Sequence, residues 1–183
     1  MTPANMITMT RIALIPVFMW AVTSSLPYSA VLALLIFIVA SVTDGVDGYV
    51  ARRFNHVTNF GKFIDPLADK LLVTSALLLF VQFGQMPAAA AMIIVTREFL
   101  ITSLRTVAMA EGRVIAAGIE GKVKTFTQIV CIAFLLTGHG VAEIMPGSGL
   151  KWDDLAVWLM VIVTVWSGAA YLYRHMDVLR NPK

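Results

Sequence analysis

Charged side chains are scarce in this sequence. Only 14% of the 183 residues are Asp, Glu, Lys or Arg, whereas 58% are hydrophobic. Soluble domains carry about a quarter charged residues, so this composition excludes an ordinary soluble protein and indicates one embedded in a lipid bilayer. We expect no nucleic-acid partner for such a chain.

Cysteine is almost absent as well. The single Cys131 has no partner in the chain, which excludes an intramolecular disulfide. The sequence also lacks internal repeats, low-complexity segments and any linker long enough to separate two domains. These absences predict a single membrane domain over residues 1–183.

Long apolar stretches make up most of the sequence. Crossing a bilayer as a helix takes roughly 20 mostly apolar residues. Six such stretches fit into the chain, at residues 6–23, 30–53, 61–83, 87–110, 118–137 and 153–174. The breaks between most of them are short, which predicts antiparallel neighbouring helices. The predicted fold is therefore all-α, an integral membrane protein with six transmembrane helices.

Lysine and arginine are unevenly distributed among the predicted connections. If the N-terminus is cytoplasmic, one set of connections holds nearly all the basic residues, and the other set holds only Lys151 beside acidic residues. Cytoplasmic loops of membrane proteins carry an excess of Lys and Arg. The pattern predicts a multi-pass protein of the cell membrane with both termini in the cytoplasm.

Four aspartates interrupt the apolar sequence: Asp44, Asp47, Asp65 and Asp69. Ionised groups are costly in hydrocarbon and usually face a cavity, a partner charge or a bound ion. The spacings of three and four residues put each pair on one helix face, and an antiparallel hairpin brings the two faces together. Four adjacent carboxylates repel one another, and their oxygens suit hard cations. We predict two Mg²⁺ or Mn²⁺ ions in a polar cavity at the cytoplasmic side.

Gly48 and Arg52 extend the aspartate stripe of the second helix. Gly48 lets a bulky ligand approach the backbone, and Arg52 is suited to holding a phosphate through two parallel hydrogen bonds. Paired divalent ions neutralise charge on phosphoryl oxygens, so the pattern indicates phosphoryl transfer. Two alternatives remain open: a cation transporter, and helix-packing carboxylates neutralised by Lys62, Lys70 or Arg52.

The complete pattern is D-x-x-D-G-x-x-A-R-x(8)-G-x-x-x-D-x-x-x-D, and it resembles the signature of the CDP-alcohol phosphotransferases. The resemblance implies a six-helix membrane enzyme, usually a homodimer, that moves a phosphatidyl group from a CDP-linked lipid to an alcohol. It implies that Asp44, Asp47 and Asp65 bind metal. Asp69 would bind metal and also act as the general base that deprotonates the acceptor hydroxyl.

The first predicted helix opens with an N-x-x-T-x-x-R segment whose polar residues recur every three positions. In the resemblance this segment helps to hold the donor, CDP-diacylglycerol. The implied donor contacts are Asn5, Thr8, Arg11, Gly48, Arg52 and Thr58. The residues alone also allow a plainer interpretation, in which Asn5 and Thr8 cap the helix and Arg11 is an interfacial charge.

Basic residues of the fourth and fifth stretches indicate the acceptor. They are Arg97, Arg105, Lys122 and Lys124. Several cations at the cytoplasmic side favour a phosphate monoester over serine, choline or ethanolamine. The segments R-E-F at 97–99 and G-K-x-K-T at 121–125 are also similar to the phosphatidylglycerophosphate synthase branch of the family, in which the acceptor is sn-glycerol 3-phosphate.

Several alternatives remain for the acceptor side. Within the same family the acceptor could be inositol phosphate, serine or phosphatidylglycerol. Arg97 and Glu98 could form a purely structural ion pair, and Lys122 and Lys124 could anchor the chain at the cytoplasmic membrane surface.

Overall fold

The computed structural model describes residues 3–26, 28–54, 59–110, 118–137 and 152–176. Within these ranges the chain forms six α-helices and no strands. The helices are α1 (Pro3–Thr23), α2 (Ser29–Phe54), α3 (Asn59–Gln82), α4 (Ala88–Ala110), α5 (Ile119–Thr137) and α6 (Trp152–Arg174). Each helix coincides with one of the six predicted apolar stretches, so the all-helical prediction is confirmed.

Local signals in the sequence set the end of α3 and the start of α4. The N–H of Phe83 donates to the carbonyl of Leu79 at 2.9 Å, and Gly84 then takes a φ of +70°. Glycine adopts this left-handed conformation without steric cost and commonly terminates helices. The carbonyl of Pro87 accepts from the N–H of Ala90 at 3.0 Å, consistent with the preference for proline at helix starts.

The chain divides into two compact units, and the first contains α1, α2, α3 and the last turns of α5. In this unit α1 packs against both α2 and α3, and α2 contacts α3. The fully buried rings of Phe18 and Phe37 lie with centroids 6.0 Å apart. Small side chains allow close helix packing, and the fully buried alanines of these helices are Ala21, Ala40, Ala68 and Ala76.

The second unit contains α4, the larger part of α5, and α6. Here α4 and α6 pack along each other. Ile101, Leu104 and Ala108 of α4 form a buried cluster with Tyr171 of α6, and Leu172 packs against it. This contact sets the register in which polar side chains of the two helices meet.

Much of the exterior of the described helices is apolar. Trp20, Trp158 and Trp166 are each more than half exposed, as are many aliphatic side chains. Among the described residues one helix, α6, is long and apolar enough to cross a membrane, and shorter apolar stretches occur in α1, α2 and α3. Extensive apolar surface marks contact with another protein or with a membrane.

Candidate active site

The four aspartates lie in two helices of the first unit, Asp44 and Asp47 in α2 and Asp65 and Asp69 in α3. These helices contact each other, and only residues 55–58 join them, so they run antiparallel. Asp44 lies ten residues before the end of α2, and Asp69 lies ten residues after the start of α3. At 1.5 Å per residue both are about 15 Å from the connection, so the backbone places them at the same level.

Asp47 and Asp65 also lie at similar levels, seven residues before the end of α2 and six after the start of α3. The side chains of all four aspartates lie outside the described part of the structure. Among the side chains that are described, no three His, Cys, Asp or Glu groups come together as a metal site. The matching levels and the all-oxygen donor set fit hard divalent ions, and the metal assignment stays a prediction.

Thr8 and Arg11 are buried in the first unit, each with 1% of its surface exposed. They belong to α1, the helix that packs against both aspartate-bearing helices. Thr8 lies in the second turn of α1, beyond the capping position. An interfacial arginine would be exposed, so the burial of Arg11 disfavours the plainer interpretation and places a cation inside the unit that carries the aspartates.

The remaining predicted donor contacts are Asn5, Gly48, Arg52 and Thr58. Asn5 lies in α1, and Gly48 and Arg52 lie in α2, but their surroundings are outside the described part of the structure. Thr58 lies outside the described residues altogether. The assignment of these residues to CDP-diacylglycerol stays a prediction.

In the second unit, Glu98 of α4 brings two of the predicted acceptor residues together. Its Oε1 forms an ion pair with Nζ of Lys124 and lies 3.4 Å from Nη1 of Arg97. All three side chains are largely buried, with exposed fractions of 7% to 13%. Two cations therefore contact one carboxylate, which links α4 to α5.

Arg97 is also held by α6. Its Nη2 donates a hydrogen bond to Oγ of the buried Ser167 at 3.1 Å. Ser167 in turn donates to the carbonyl of Thr164 at 3.1 Å. The arginine stem passes over Gly168, where a Cβ atom would lie 2.9 Å from Cγ of Arg97. The guanidinium therefore has defined partners on both α4 and α6.

The other two predicted acceptor residues have different surroundings. Nε of Arg105 donates to the hydroxyl of Tyr171 at 3.1 Å, and Cζ of Arg105 lies 5.3 Å from the centroid of that ring. Such an arrangement combines a hydrogen bond with a cation–π contact. Lys122 is exposed. The structure thus joins Arg97 to Lys124, engages Arg105 two turns further along α4, and leaves Lys122 at the surface.

Three polar residues of α5 recur every four positions and point to its neighbours. Glu120 forms an ion pair with Arg174 of α6, and Lys124 forms its ion pair with Glu98 of α4. Nε2 of the buried Gln128 lies 3.4 Å from Oγ1 of Thr164 in α6. We call Glu120, Lys124 and Gln128 the polar stripe of α5.

The α6 side of this arrangement was not predicted from the sequence. It consists of Thr164, Ser167, Gly168 and Tyr171. A signal was present, because these small or polar residues recur at spacings of three and four within a strongly apolar helix. That spacing indicates one helix face with polar partners.

An open, mostly apolar groove of about 570 Å³ runs between α4 and α6. Arg97 and Gly168 line it together with Thr96, Leu100 and Ala169. Arg97 is therefore both a member of the charged cluster and part of the lining of this groove.

Comparison with known proteins identifies the family. Residues 1–166 match the family model described as CDP-alcohol phosphatidyltransferase. The chain belongs to this family. The family predicted from the aspartate pattern is thereby confirmed, and the resemblance extends over most of the chain.

Relatives of this phosphatidyltransferase align with it almost end to end. A protein of Bacillus subtilis strain 168 is 43% identical, over 97% of this chain and 96% of its own length. A protein of Escherichia coli K12 is 35% identical, over 92% of this chain and 91% of its own length. A protein of Rickettsia bellii is 33% identical, over 91% of both chains. All three carry the name CDP-diacylglycerol–glycerol-3-phosphate 3-phosphatidyltransferase.

Proposed function

We propose that this protein transfers the phosphatidyl group of CDP-diacylglycerol to sn-glycerol 3-phosphate, giving phosphatidylglycerophosphate and CMP. The observation that carries the proposal is the intact aspartate pattern on α2 and α3, in a chain 43% identical to a relative named for this reaction. The positively charged cluster of Arg97 and Lys124 supports a phosphorylated acceptor.

The four aspartates are the proposed ligands of two Mg²⁺ or Mn²⁺ ions. Bound there, the ions would neutralise charge on the diphosphate of the donor and stabilise the negative charge that develops on CMP. Nucleotide and diphosphate would be held by this chain's own donor contacts: Asn5, Thr8, Arg11, Gly48, Arg52 and Thr58. The burial of Arg11 on the helix that contacts α2 and α3 supports its part in this set.

Asp69 is the proposed general base. Its carboxylate takes the proton from the primary hydroxyl of the acceptor, and the hydroxyl oxygen forms a bond to the phosphorus that bears diacylglycerol. The bond between that phosphorus and the oxygen of CMP breaks, and CMP leaves with the electron pair. A base at this position removes the proton only from an acceptor that is bound beside it.

Arg97 and Lys124 are the proposed main contacts of the acceptor phosphate. Both side chains are cationic hydrogen-bond donors held against Glu98, and a phosphate monoester would receive charge-assisted hydrogen bonds from them. Arg105 and Lys122 are also proposed acceptor contacts, but with a smaller contribution to phosphate binding. Arg105 already donates to Tyr171, and Lys122 is exposed.

We propose further that the protein is a multi-pass protein of the cell membrane and a homodimer, with six transmembrane helices and both termini in the cytoplasm. The exposed apolar side chains of the described helices and the uneven distribution of basic residues support the membrane topology. The homodimer follows from the family resemblance alone.

The acceptor is tested by identifying the lipid product. Purified protein should convert labelled CDP-diacylglycerol to phosphatidylglycerophosphate when given sn-glycerol 3-phosphate, and release one CMP for each lipid formed. Serine and phosphatidylglycerol, which lack a phosphate monoester, should each give less than about a hundredth of that rate at the same concentration, because the charged pocket would lack its partner. Inositol phosphate carries the phosphate monoester, so it tests the alcohol part of the acceptor and should react more slowly than sn-glycerol 3-phosphate. A faster reaction with any of them would contradict the assigned acceptor.

Replacing Arg97 or Lys124 with alanine should raise the KM for sn-glycerol 3-phosphate about 10- to 100-fold, because each substitution removes a charged hydrogen-bond donor. The KM for CDP-diacylglycerol should stay within about twofold. Arg174→Ala is a control for the loss of a cation at the end of α6, where the side chain is 59% exposed and pairs only at the helix end with Glu120, so the acceptor KM should change by less than about threefold. Unchanged acceptor kinetics in both Arg97→Ala and Lys124→Ala would show that the pair is structural.

A further inference from the structure

Gly168 of α6 lies directly against the side chain of Arg97. A Cβ atom at this position would be 2.9 Å from Cγ, 3.4 Å from Nε and 3.8 Å from Cδ of Arg97. Side chains occupy a few staggered rotamers, and Cγ lies too near the backbone to move away without a change of rotamer. The observed path of Arg97 therefore requires that residue 168 have no side chain.

Ser167 fixes the other end of the same side chain. A serine hydroxyl has one hydrogen to donate and two lone pairs. Ser167 donates its hydrogen to the carbonyl of Thr164 at 3.1 Å, so its lone pairs accept from Nη2 of Arg97, also at 3.1 Å. Because Ser167 is fully buried, water does not compete for this bond.

Ser167 and Glu98 together use only part of the capacity of Arg97. The guanidinium has five N–H groups: one on Nη2 donates to Ser167, and one on Nη1 donates to Glu98. Nε of Arg97 is buried, and no residue in the described part of the chain accepts from it. A methyl group at position 168 would contact this atom at 3.4 Å.

We propose that Gly168 and Ser167 are positioning residues for the acceptor phosphate. Gly168 leaves room for the stem of Arg97, and Ser167 holds its guanidinium, so that the remaining N–H groups are presented in a constant geometry. This inference rests on the proposed role of Arg97 in binding sn-glycerol 3-phosphate. It adds two residues of α6 to the acceptor site, neither of which contacts the acceptor itself.

The proposal predicts an unusual effect of Gly168→Ala on stability. Alanine normally stabilises a helix relative to glycine, so the substitution would raise the thermal midpoint if the site were open. With Arg97 present, the added methyl group meets Cγ at 2.9 Å, and the midpoint should fall. When Arg97 is replaced by alanine, Cγ is absent, and Gly168→Ala should raise the thermal midpoint.

A double-mutant cycle tests this coupling. Wild type, Gly168→Ala, Arg97→Ala and the double variant would be compared for both KM values, kcat and thermal midpoint in detergent. Gly168→Ala alone should raise the KM for sn-glycerol 3-phosphate about 10-fold, the loss expected for one charge-assisted hydrogen bond. Its kcat and its KM for CDP-diacylglycerol should stay within about twofold. In the Arg97→Ala background it should add nothing to the acceptor KM.

Two further variants complete the experiment. Ser103→Ala makes the same chemical change as Ser167→Ala, but at an exposed position of α4, so it should leave both KM values unchanged. Ser167→Ala removes the hydrogen bond to Arg97 without adding volume and should raise the acceptor KM about 3- to 10-fold. It serves as the second test if Gly168→Ala does not fold.

The outcomes separate this inference from the proposed function. If Arg97→Ala raises the acceptor KM while Gly168→Ala and Ser167→Ala leave it unchanged, the positioning role is wrong and the acceptor role of Arg97 stands. If Gly168→Ala raises the acceptor KM equally in both backgrounds, it acts independently of Arg97 and the inference is overturned. If Arg97→Ala itself has no effect on acceptor kinetics, the assigned acceptor site and this inference both fail.

Discussion

Asp69→Asn is expected to lower the rate of phosphatidyl transfer by 10²- to 10⁴-fold, the usual contribution of a positioned general base. Asparagine has nearly the same shape as aspartate but takes up no proton at neutral pH, so the acceptor hydroxyl would have to attack while still protonated. Because the change is isosteric, the packing of the first unit should be retained. Turnover would be measured as CMP release from purified protein in detergent.

Two comparisons sharpen this result. Asp154→Asn, in the exposed first turn of α6, makes the same chemical change away from the proposed site and should retain wild-type turnover. Asp65→Asn removes a proposed metal ligand without removing the base, so a higher concentration of Mg²⁺ or Mn²⁺ should restore part of its activity. The same addition should restore no activity in Asp69→Asn. Retention of more than about a tenth of wild-type turnover in Asp69→Asn would exclude the base assignment.

Removal of divalent cations is expected to have an effect of similar size. A bound metal ion supplies several kcal/mol of transition-state stabilisation, so treatment with a chelator should lower CMP release by at least about 10²-fold. Addition of Mg²⁺ or Mn²⁺ should restore it, and chelator saturated with Mg²⁺ beforehand should have no effect. Full activity after exhaustive chelation would show that the four aspartates do not act through a metal.

Metal binding also has a consequence that does not depend on activity. A ligand that binds only the folded protein raises its thermal midpoint, and the rise grows with the logarithm of the ligand concentration above the dissociation constant. Mn²⁺ should therefore raise the midpoint of the wild-type protein, and this rise should be lost in Asp44→Asn, which removes a proposed ligand in α2. An equal rise in both proteins would place the bound ion elsewhere.

The secondary structure could be predicted well from composition and hydropathy. Each of the six apolar stretches contains enough residues for a membrane-length helix, and each coincides with a helix of the structure. The residues that end and begin helices were equally informative, since Gly84 and Pro87 mark the end of α3 and the start of α4. Hydrophobic length and helix-terminating residues are local properties, which is why the sequence alone reveals them.

Those parts of the candidate site that lie within one helix, or in two helices joined by a short loop, could be predicted from the sequence. Asp44 and Asp47, and likewise Asp65 and Asp69, each lie within one helix, and only four residues join the two helices. The partners of Arg97 could not be inferred in the same way. Glu98 is adjacent in sequence, but Lys124 lies 26 residues from Glu98, and Ser167 lies 70 residues from Arg97. Such contacts depend on how separate helices pack, which hydropathy does not specify.

The interpretation of individual charges changed accordingly. Arg11 could have been an interfacial cation, but it is buried on the helix that contacts both aspartate-bearing helices. Arg97 and Glu98 do form an ion pair, as the structural alternative expects, and Lys124 joins it. A count of charges along a helix does not distinguish these cases, because burial and partners are properties of the packed structure.

The polar stripe of α5 has a consequence for the assembly of the second unit. Its three contacts are spaced four residues apart and alternate between α6, α4 and α6. A rotation of α5 about its axis, or a slip by a single residue, would break all three contacts together, whereas contacts between apolar side chains are non-directional and constrain the rotation less. The polar stripe therefore fixes the rotation and the register of α5. Among the possible arrangements of three apolar helices, it selects the one in which Lys124 contacts Glu98.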